Sequence, residues 1–191
     1  MLGLWTSIEA TGTWPVGVNI WQYGTWADVE SQLARQFEPR AQDPGLKEWW
    51  LRNLDLRTGG FDRLIESTDY TRDVGALRRA GIAGALFLHE IVRLADGARE
   101  RFLEAFGREG APAAESAGAR LVGAYRVLLQ DAEAVILYAF PAANDLAGFQ
   151  RRWYDPASAL GRWREREMEW VEEREALILK PRYFLSSPWH P

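Results

Sequence analysis

The sequence predicts an α+β protein made of two related halves, the second complete and the first shortened. Three observations predict it. Residues 18–39 align without a gap on residues 135–156, so that Val18 meets Val135, Asp28 meets Asp145, Arg35 meets Arg152 and Pro39 meets Pro156. Other columns hold similar residues: Ile20 with Leu137, Trp21 with Tyr138, Tyr23 with Phe140, Phe37 with Tyr154. Around both segments, apolar runs rich in β-branched and aromatic residues alternate with helical periodicity, in the order strand, strand, helix, strand.

In the first half, strands are expected at 2–10 and 16–23, joined by a turn through Thr11-Gly12-Thr13-Trp14-Pro15. A helix is expected at 26–37 and breaks within 38–45, where Pro39 and Pro44 interrupt the hydrogen-bond ladder. A second helix covers 46–55, and a closing strand at 63–67 follows Gly59-Gly60. The second half opens with a strand at 85–94, ended by Asp96-Gly97, and a helix at 98–117 that aligns Phe102, Leu103 and Phe106 on one face. Strands at 121–129 and 134–140 form a hairpin through Gln130-Asp131. Asn144 or Asp145 offers a cap for the next helix, which Pro156 interrupts. Its continuation at 157–173 carries Leu160, Trp163, Glu167, Trp170 and Val171 on one mostly apolar face. The alternating charges of 162–174 read as a solvated face. A last strand at 176–180 ends at Pro181.

The second half therefore reads β-α-β-β-α-β, the ferredoxin-like order. The chain divides into an incomplete unit at 1–67, a linker at 68–84 and a complete unit at 85–191. The first unit starts at its second strand, either because its leading strand and helix were lost or because the true start lies upstream of Met1, and an incomplete sheet leaves an edge to be covered. The linker, the C-terminal tail or a partner chain is expected to cover it, and a homodimer is the expected assembly.

The 191 residues carry a net charge of −4, so nothing points to nucleic acid, which asks for a basic face. Without cysteine, neither disulfides nor thiolate chemistry is available. Two histidines, His89 and His190, make a multi-histidine metal site within one chain impossible unless carboxylates complete it. No apolar run has the length of a membrane span, and residues 1–14 do not read as a signal peptide, so a cytoplasmic protein is expected. No dinucleotide fingerprint, phosphate loop or nucleophile elbow is present, and no cofactor is expected.

Ten tryptophans are many for this length. Strand alternation puts Asn19, Trp21 and Tyr23 on one face, where the second half has the more apolar Ile136, Tyr138 and Phe140. An amide, an indole and a phenol suit a pocket that orients a polar group on an aromatic ligand, although Trp21 and Tyr23 also fit a core. Trp5 and Tyr125 hold matching places in the two second strands. Trp49-Trp50, Trp163 and Trp170 lie on helices that would roof each half. Large rigid rings around a cavity favour a flat, apolar ligand. His89 can titrate near neutrality and act as general acid or base. Glu90 faces the other way, and a carboxylate in an apolar strand is costly unless paired, for instance with Arg126. If left unpaired, its raised pKa makes it a candidate base.

The second half carries Glu109-Gly110-Ala111-Pro112, then Leu121-Val122-Gly123, then Leu177-Ile178-Leu179-Lys180-Pro181-Arg182-Tyr183-Phe184 with Ser187-Pro188. In order and spacing these resemble the NIPSNAP branch of the dimeric α/β-barrel superfamily. Asn19-Ile20-Trp21-Gln22-Tyr23 resembles the family's aromatic third strand, where histidine is common at the place of Asn19. The family usually has an arginine where this chain holds Leu88-His89-Glu90. The resemblance covers 85–188 well and 2–67 more weakly. It implies two four-stranded antiparallel sheets packed as a barrel, with helices outside and a pocket between sheet and helices in each half. It also implies a cofactor-free cyclase, isomerase or oxygenase acting on an aromatic or polycyclic substrate. In that reading Tyr23, His89 or Glu90 are the reacting groups, and Asn19, Trp21, Trp5, Trp49, Tyr125 and Tyr138 contact the ligand. A ligand carrier, a structural subunit, or haem handling through His89 remain open.

Overall fold

The computed structural model describes residues 2–8, 16–55, 59–60 and 62–182, the side chains of 36–41 excepted. The chain divides into two compact units, one formed by Met1–Ile20 with Leu64–Pro191 and one by Trp21–Arg63.

The first unit holds every strand found among the described residues. In chain order these are β1 (Gly3–Ser7), β2 (Gly17–Ile20), β3 (Ile65–Ser67), β4 (Leu86–Leu94), β5 (Arg120–Val127), β6 (Glu133–Phe140) and β7 (Val171–Pro181). They form one seven-stranded sheet in the order β2-β1-β7-β4-β6-β5-β3, antiparallel at every junction. The expectation of two four-stranded sheets is corrected here. β7 pairs with β4 along most of its length and then with β1, through Trp5 opposite Pro181, so both sets of strands join one sheet. Within it, β7-β4-β6-β5 and the helices that follow β4 and β6 have the ferredoxin-like order.

β7 is longer than the expected strand at 176–180, and the preceding helix correspondingly shorter. Ladder bonds to β4 begin at Val171 opposite Leu94, and pairing with a neighbour overrides the helical pattern of 168–173. The turn expected at 11–15 lies outside the described residues.

Four helices cover one face of the sheet. α4 (Arg99–Ala105) passes through a π-helical turn, Phe106–Gly110, into α5 (Ala111–Ser116). The Ala111 N–H donates to the Phe106 carbonyl, five residues back, and Pro112 has no N–H to restore the tighter ladder. A Cβ on Gly110 would come within 2.6 Å of both Phe106 and Trp163, so glycine lets these rings approach the turn. α6 (Ala143–Trp153) starts earlier than expected. Asp145 caps it from inside, its carboxylate accepting from the Ala142 N–H at 2.9 Å. α7 (Ala159–Glu167) is capped by Ser158, whose Oγ accepts from the Gly161 N–H at 2.8 Å. Between these helices and the sheet lies the larger core, with Phe102, Phe106, Ile136, Tyr138, Phe140, Phe149, Leu160 and Trp163 buried.

The opposite face carries a second core of Trp5, Ile20, Phe87, Val122, Leu137, Leu177 and Leu179. The expected linker contributes to it. Asp73 caps a short helix, α3 (Val74–Arg79), its Oδ1 accepting from the Ala76 N–H at 2.6 Å, and Leu77 is fully buried in this core.

The second unit is a helical pair, α1 (Trp26–Gln42) and α2 (Pro44–Asp55). α1 runs past Pro39, and the break expected over 38–45 narrows to Asp43. There Oδ1 accepts from the Gly45 and Leu46 N–H groups, and Pro44 pre-sets the first helical residue. No residue of α2 is buried.

Candidate functional site: a buried carboxylate pair bridged by arginine

Alternation along β4 puts Leu88, Glu90 and Val92 on the helix-covered face. On β7, Ala176 lies opposite Glu90 and Arg174 opposite Val92, so Arg174 projects from the same face one step along. Its Nη1 donates to Glu90 Oε2 and its Nη2 to Glu167 Oε2, each at 2.6 Å. Glu167 comes from the last residue of α7 and is fully buried. One turn earlier, Arg164 places Nη1 3.4 Å from Glu167 Oε1. Both guanidiniums lie against the Trp153 ring, at 5.1 Å for Arg174 and 5.5 Å for Arg164. Two carboxylates and two guanidiniums thus balance their charge inside an aromatic core.

Burial pushes the Glu90 carboxyl above the ordinary range, and Arg174 offsets only part of the rise. Burial likewise raises Glu167, to about 7, against the pull of Arg174. Desolvation alone would pull Arg174 down, but Glu90 and Glu167 outweigh it and hold the guanidinium above its usual value. Burial lifts Tyr138 well above a free phenol, and neighbouring Glu90 adds to the effect. Glu167 Oε1 and Arg164 Nη1 pair by charge at 3.4 Å without hydrogen-bond geometry, and Arg174 Nε is buried with no hydrogen-bond partner. Native interiors rarely leave a buried donor such as Arg174 Nε unsatisfied.

The structure distributes the sequence-predicted residues over several places. Glu90 and Tyr138 are together on the helix side. His89 faces the other way, opposite Leu137 and Leu177, half-buried. Trp5 is also on that side, wholly buried and tilted against Phe87 at 5.4 Å. Tyr125 packs with Val127 and Val135 and folds over Gly123, where a Cβ would meet its hydroxyl. Burial raises its phenol. Asn19 is exposed on β2. Trp21, Tyr23 and Trp49 belong to the second unit and are 51%, 37% and 51% exposed. Arg126, the partner suggested for Glu90, instead donates to Glu100 at 2.8 Å.

Sequence reasoning missed Arg174, Arg164 and the role of Glu167. The signal for Glu167 was its place in the apolar stripe with Leu160, Trp163 and Trp170. The arginines were hidden because a run of alternating charges reads as solvated.

A cleft of about 380 Å³ opens near this site, lined in part by Thr68, Tyr70, Leu103, Gly107 and Arg126. The Tyr70 hydroxyl donates to the Leu103 carbonyl at 2.8 Å, and burial pushes its phenol up to about 12. A Cβ on Gly107 would lie 2.5 Å from the Tyr70 ring, so glycine in the π-helical turn makes room for it. Tyr70 packs on Phe106 at 6.4 Å, and Phe106 meets Tyr138 edge-on at 6.4 Å. Two rings therefore separate the cleft from Tyr138 and the carboxylates. Among the described residues, no group of three or more His, Asp or Glu side chains is placed to hold a metal ion. No helix among them is long and apolar enough to cross a membrane.

No protein-family pattern matches the chain, and no curated protein matches it in sequence. Solved structures do. The chain is structurally similar to several NIPSNAP family proteins. One from Agrobacterium tumefaciens is 17% identical with a TM-score of 0.47, over 57% of this chain and 94% of its own. A second from that organism, of unknown function, is 25% identical with a TM-score of 0.47, over 54% of this chain and 93% of its own. A protein from Fusobacterium nucleatum, provisionally named a monooxygenase, has a TM-score of 0.57 at 6% identity, over 94% of this chain and 74% of its own. At that identity the likeness is one of fold, and it spans nearly the whole chain.

Proposed function

We propose that the chain is a small-molecule enzyme working without a nucleotide cofactor, in which the Glu90–Arg174–Glu167 cluster moves a proton. Glu167 carries the proposal: it is fully buried, burial raises its carboxyl to about 7, and it meets both Arg174 and Arg164. A carboxyl that is half-protonated at neutral pH can give or take a proton at little cost. Arg174 touches both carboxylates, so a charge change at one is felt at the other. The neighbouring Trp153, Trp163 and Phe102 rings favour a flat, apolar or aromatic substrate, and proton transfer on carbon suits cyclisation or isomerisation better than hydrolysis. In this reading the substrate enters from the cleft, with Tyr70 and Phe106 turning aside.

The test needs no known substrate. Aromatic ketones and phenols that raise the melting temperature are incubated with the protein in heavy water and followed by NMR. Carbon-bound hydrogen of a bound compound should exchange for deuterium with wild type and at least about 100-fold more slowly with Glu167→Gln, the scale of general acid–base catalysis. Binding without exchange, or exchange unaffected by the substitution, would count against the proposal.

We also read the chain as a duplicated fold. The series β1-β2-α1-α2-β3 repeats the order of β5-β6-α6-α7-β7, in line with the ungapped sequence register. Association is the second reading, favoured by the helical pair. Trp26 on α1 and Trp49, Leu51 and Leu54 on α2 are 66%, 51%, 52% and 45% exposed, a concentration that suits a partner surface. A homodimer through this face should sediment at twice the chain mass and dissociate in Trp49→Glu/Leu54→Glu. A wild-type monomer at micromolar concentration would rule it out.

A further inference from the structure

The carboxylate cluster holds two arginines, and the structure gives them different places. Arg174 lies in the β4–β7 ladder, its backbone fixed opposite Val92. Its side chain is 12% exposed and ends in two hydrogen bonds of 2.6 Å, one to each carboxylate. Arg164 lies on α7, three residues before Glu167, which puts the two side chains on one helix face. Its side chain is 34% exposed and meets Glu167 Oε1 at 3.4 Å by charge alone. Its guanidinium lies against Trp153, which is itself half-buried. Arg174 is thus built into the sheet, whereas Arg164 reaches the cluster from a partly exposed margin.

Charge balance gives Arg164 its weight. Glu167 is the last residue of α7, where the carbonyl end of the helix disfavours a negative charge. The last turn holds two cations, Arg164 and Arg166. Arg166 donates to Glu109 at 2.5 Å and lies over Trp170 at 5.8 Å, so of these two Arg164 faces Glu167. From the other elements, Glu90 on β4, Arg174 on β7 and Tyr138 on β6 interact with the same carboxylate. With both arginines in place, the two carboxylates are matched one to one. Without Arg164 the buried cluster carries one negative charge in excess, and a buried unmatched charge is relieved by taking up a proton.

We infer that Arg164 is a positioning residue for Glu167: its charge beside Oε1 keeps this carboxylate in the form that accepts a proton, whereas Arg174 ties both carboxylates to the sheet. The inference rests on the proton-transfer reading of this site and assigns its control to one partly exposed side chain. Arginine is not a proton-transfer group near neutral pH, so Arg164 acts only through Glu167.

The experiment is a carbon-13 NMR titration of the Glu167 carboxyl in the full chain, without substrate, in wild type, Arg164→Gln, Arg164→Lys and Arg166→Gln. Arg164→Gln should keep the far-UV spectrum and move the Glu167 midpoint at least about one pH unit higher, the usual effect of losing an opposite charge at this distance. Arg164→Lys, which keeps the charge, should restore most of the wild-type midpoint. Arg166→Gln, whose lost charge faces Glu109, should leave it in place. Deuterium exchange of a bound carbon acid should follow the titration. Its rate rises with the charged form of Glu167, and in Arg164→Gln the rise should come at least about one pH unit later.

The assignment is overturned if the midpoint stays put in Arg164→Gln, if Arg164→Lys moves it as far as Arg164→Gln, or if Arg166→Gln moves it equally. Should Arg164→Gln not fold, wild type alone decides: the nitrogen-15 resonances of the Arg164 guanidinium should shift through the Glu167 midpoint, and a flat signal overturns the assignment. A moved midpoint in a protein that exchanges no compound sinks the reaction and leaves the hold of Arg164 on Glu167 intact. Exchange with an unmoved midpoint sinks the role of Arg164 alone.

Discussion

At the residue scale, the energetics turn on Arg174. It faces Glu90 and Glu167 at 2.6 Å each, and both carboxyls have lost their water. Removing a bridging cation from a buried cluster leaves uncompensated charge. Arg174→Met should destabilise the protein by about 3–5 kcal/mol at pH 8 and by distinctly less at pH 5, where the carboxyls can protonate. Urea unfolding at the two pH values measures this. Glu167 also sets a pH dependence. Its carboxyl is raised from 4.5 to about 7 in the folded state, so the folded chain holds the proton more tightly than the unfolded chain. Stability from this group is full below about pH 4.5, falls as pH rises through about 7, and is flat above, a total of about 3 kcal/mol. The Glu90 shift has the same sign. Unfolding curves from pH 5 to pH 8 should show the decline in wild type and a shallower one in Glu167→Gln.

At the element scale, the sequence was most legible where a pattern was long and locally decisive. β4 and β6 lie where apolar content places them, and the interruption near Pro156 is real. The misreadings came from tertiary pairing and from caps. Residues 168–173 fit a helical stripe, yet β4 recruits Val171 onward into a ladder. The stretch 68–84 looks like a connector because it is short and polar in part, but Asp73 nucleates α3 and Leu77 anchors it. Leu77→Ala should cost about 2–5 kcal/mol, the range for emptying a buried leucine site, whereas an ordinary surface connector would lose less than about 0.5 kcal/mol. Thermal or urea denaturation distinguishes these. Of the site, Glu90 was legible as an oddity in an apolar strand. Its partner was not, because Arg174 lies 84 residues away and meets it only through the β4–β7 register.

At the scale of the whole molecule, local sequence patterns indicate the succession of elements but not how the sheet joins. Which strand pairs with which depends on contacts between distant segments, and the single seven-stranded sheet emerged only from the structure. The fold also sorts the aromatic residues into separate roles. Trp5 and Trp163 fill cores, Trp153 lies against two guanidiniums, and Trp21, Trp26 and Trp49 are exposed on the helical pair. The interior between the sheet and the helices α4–α7 holds a carboxyl poised near neutral pH. Carbon-13 NMR titration of the glutamate side-chain carboxyls, with Glu167→Gln and Glu90→Gln for assignment, tests it most directly. A Glu167 midpoint close to 7, moved by the Glu90 substitution, is the predicted result. A midpoint near 4.5, indistinguishable from the surface glutamates, would contradict it.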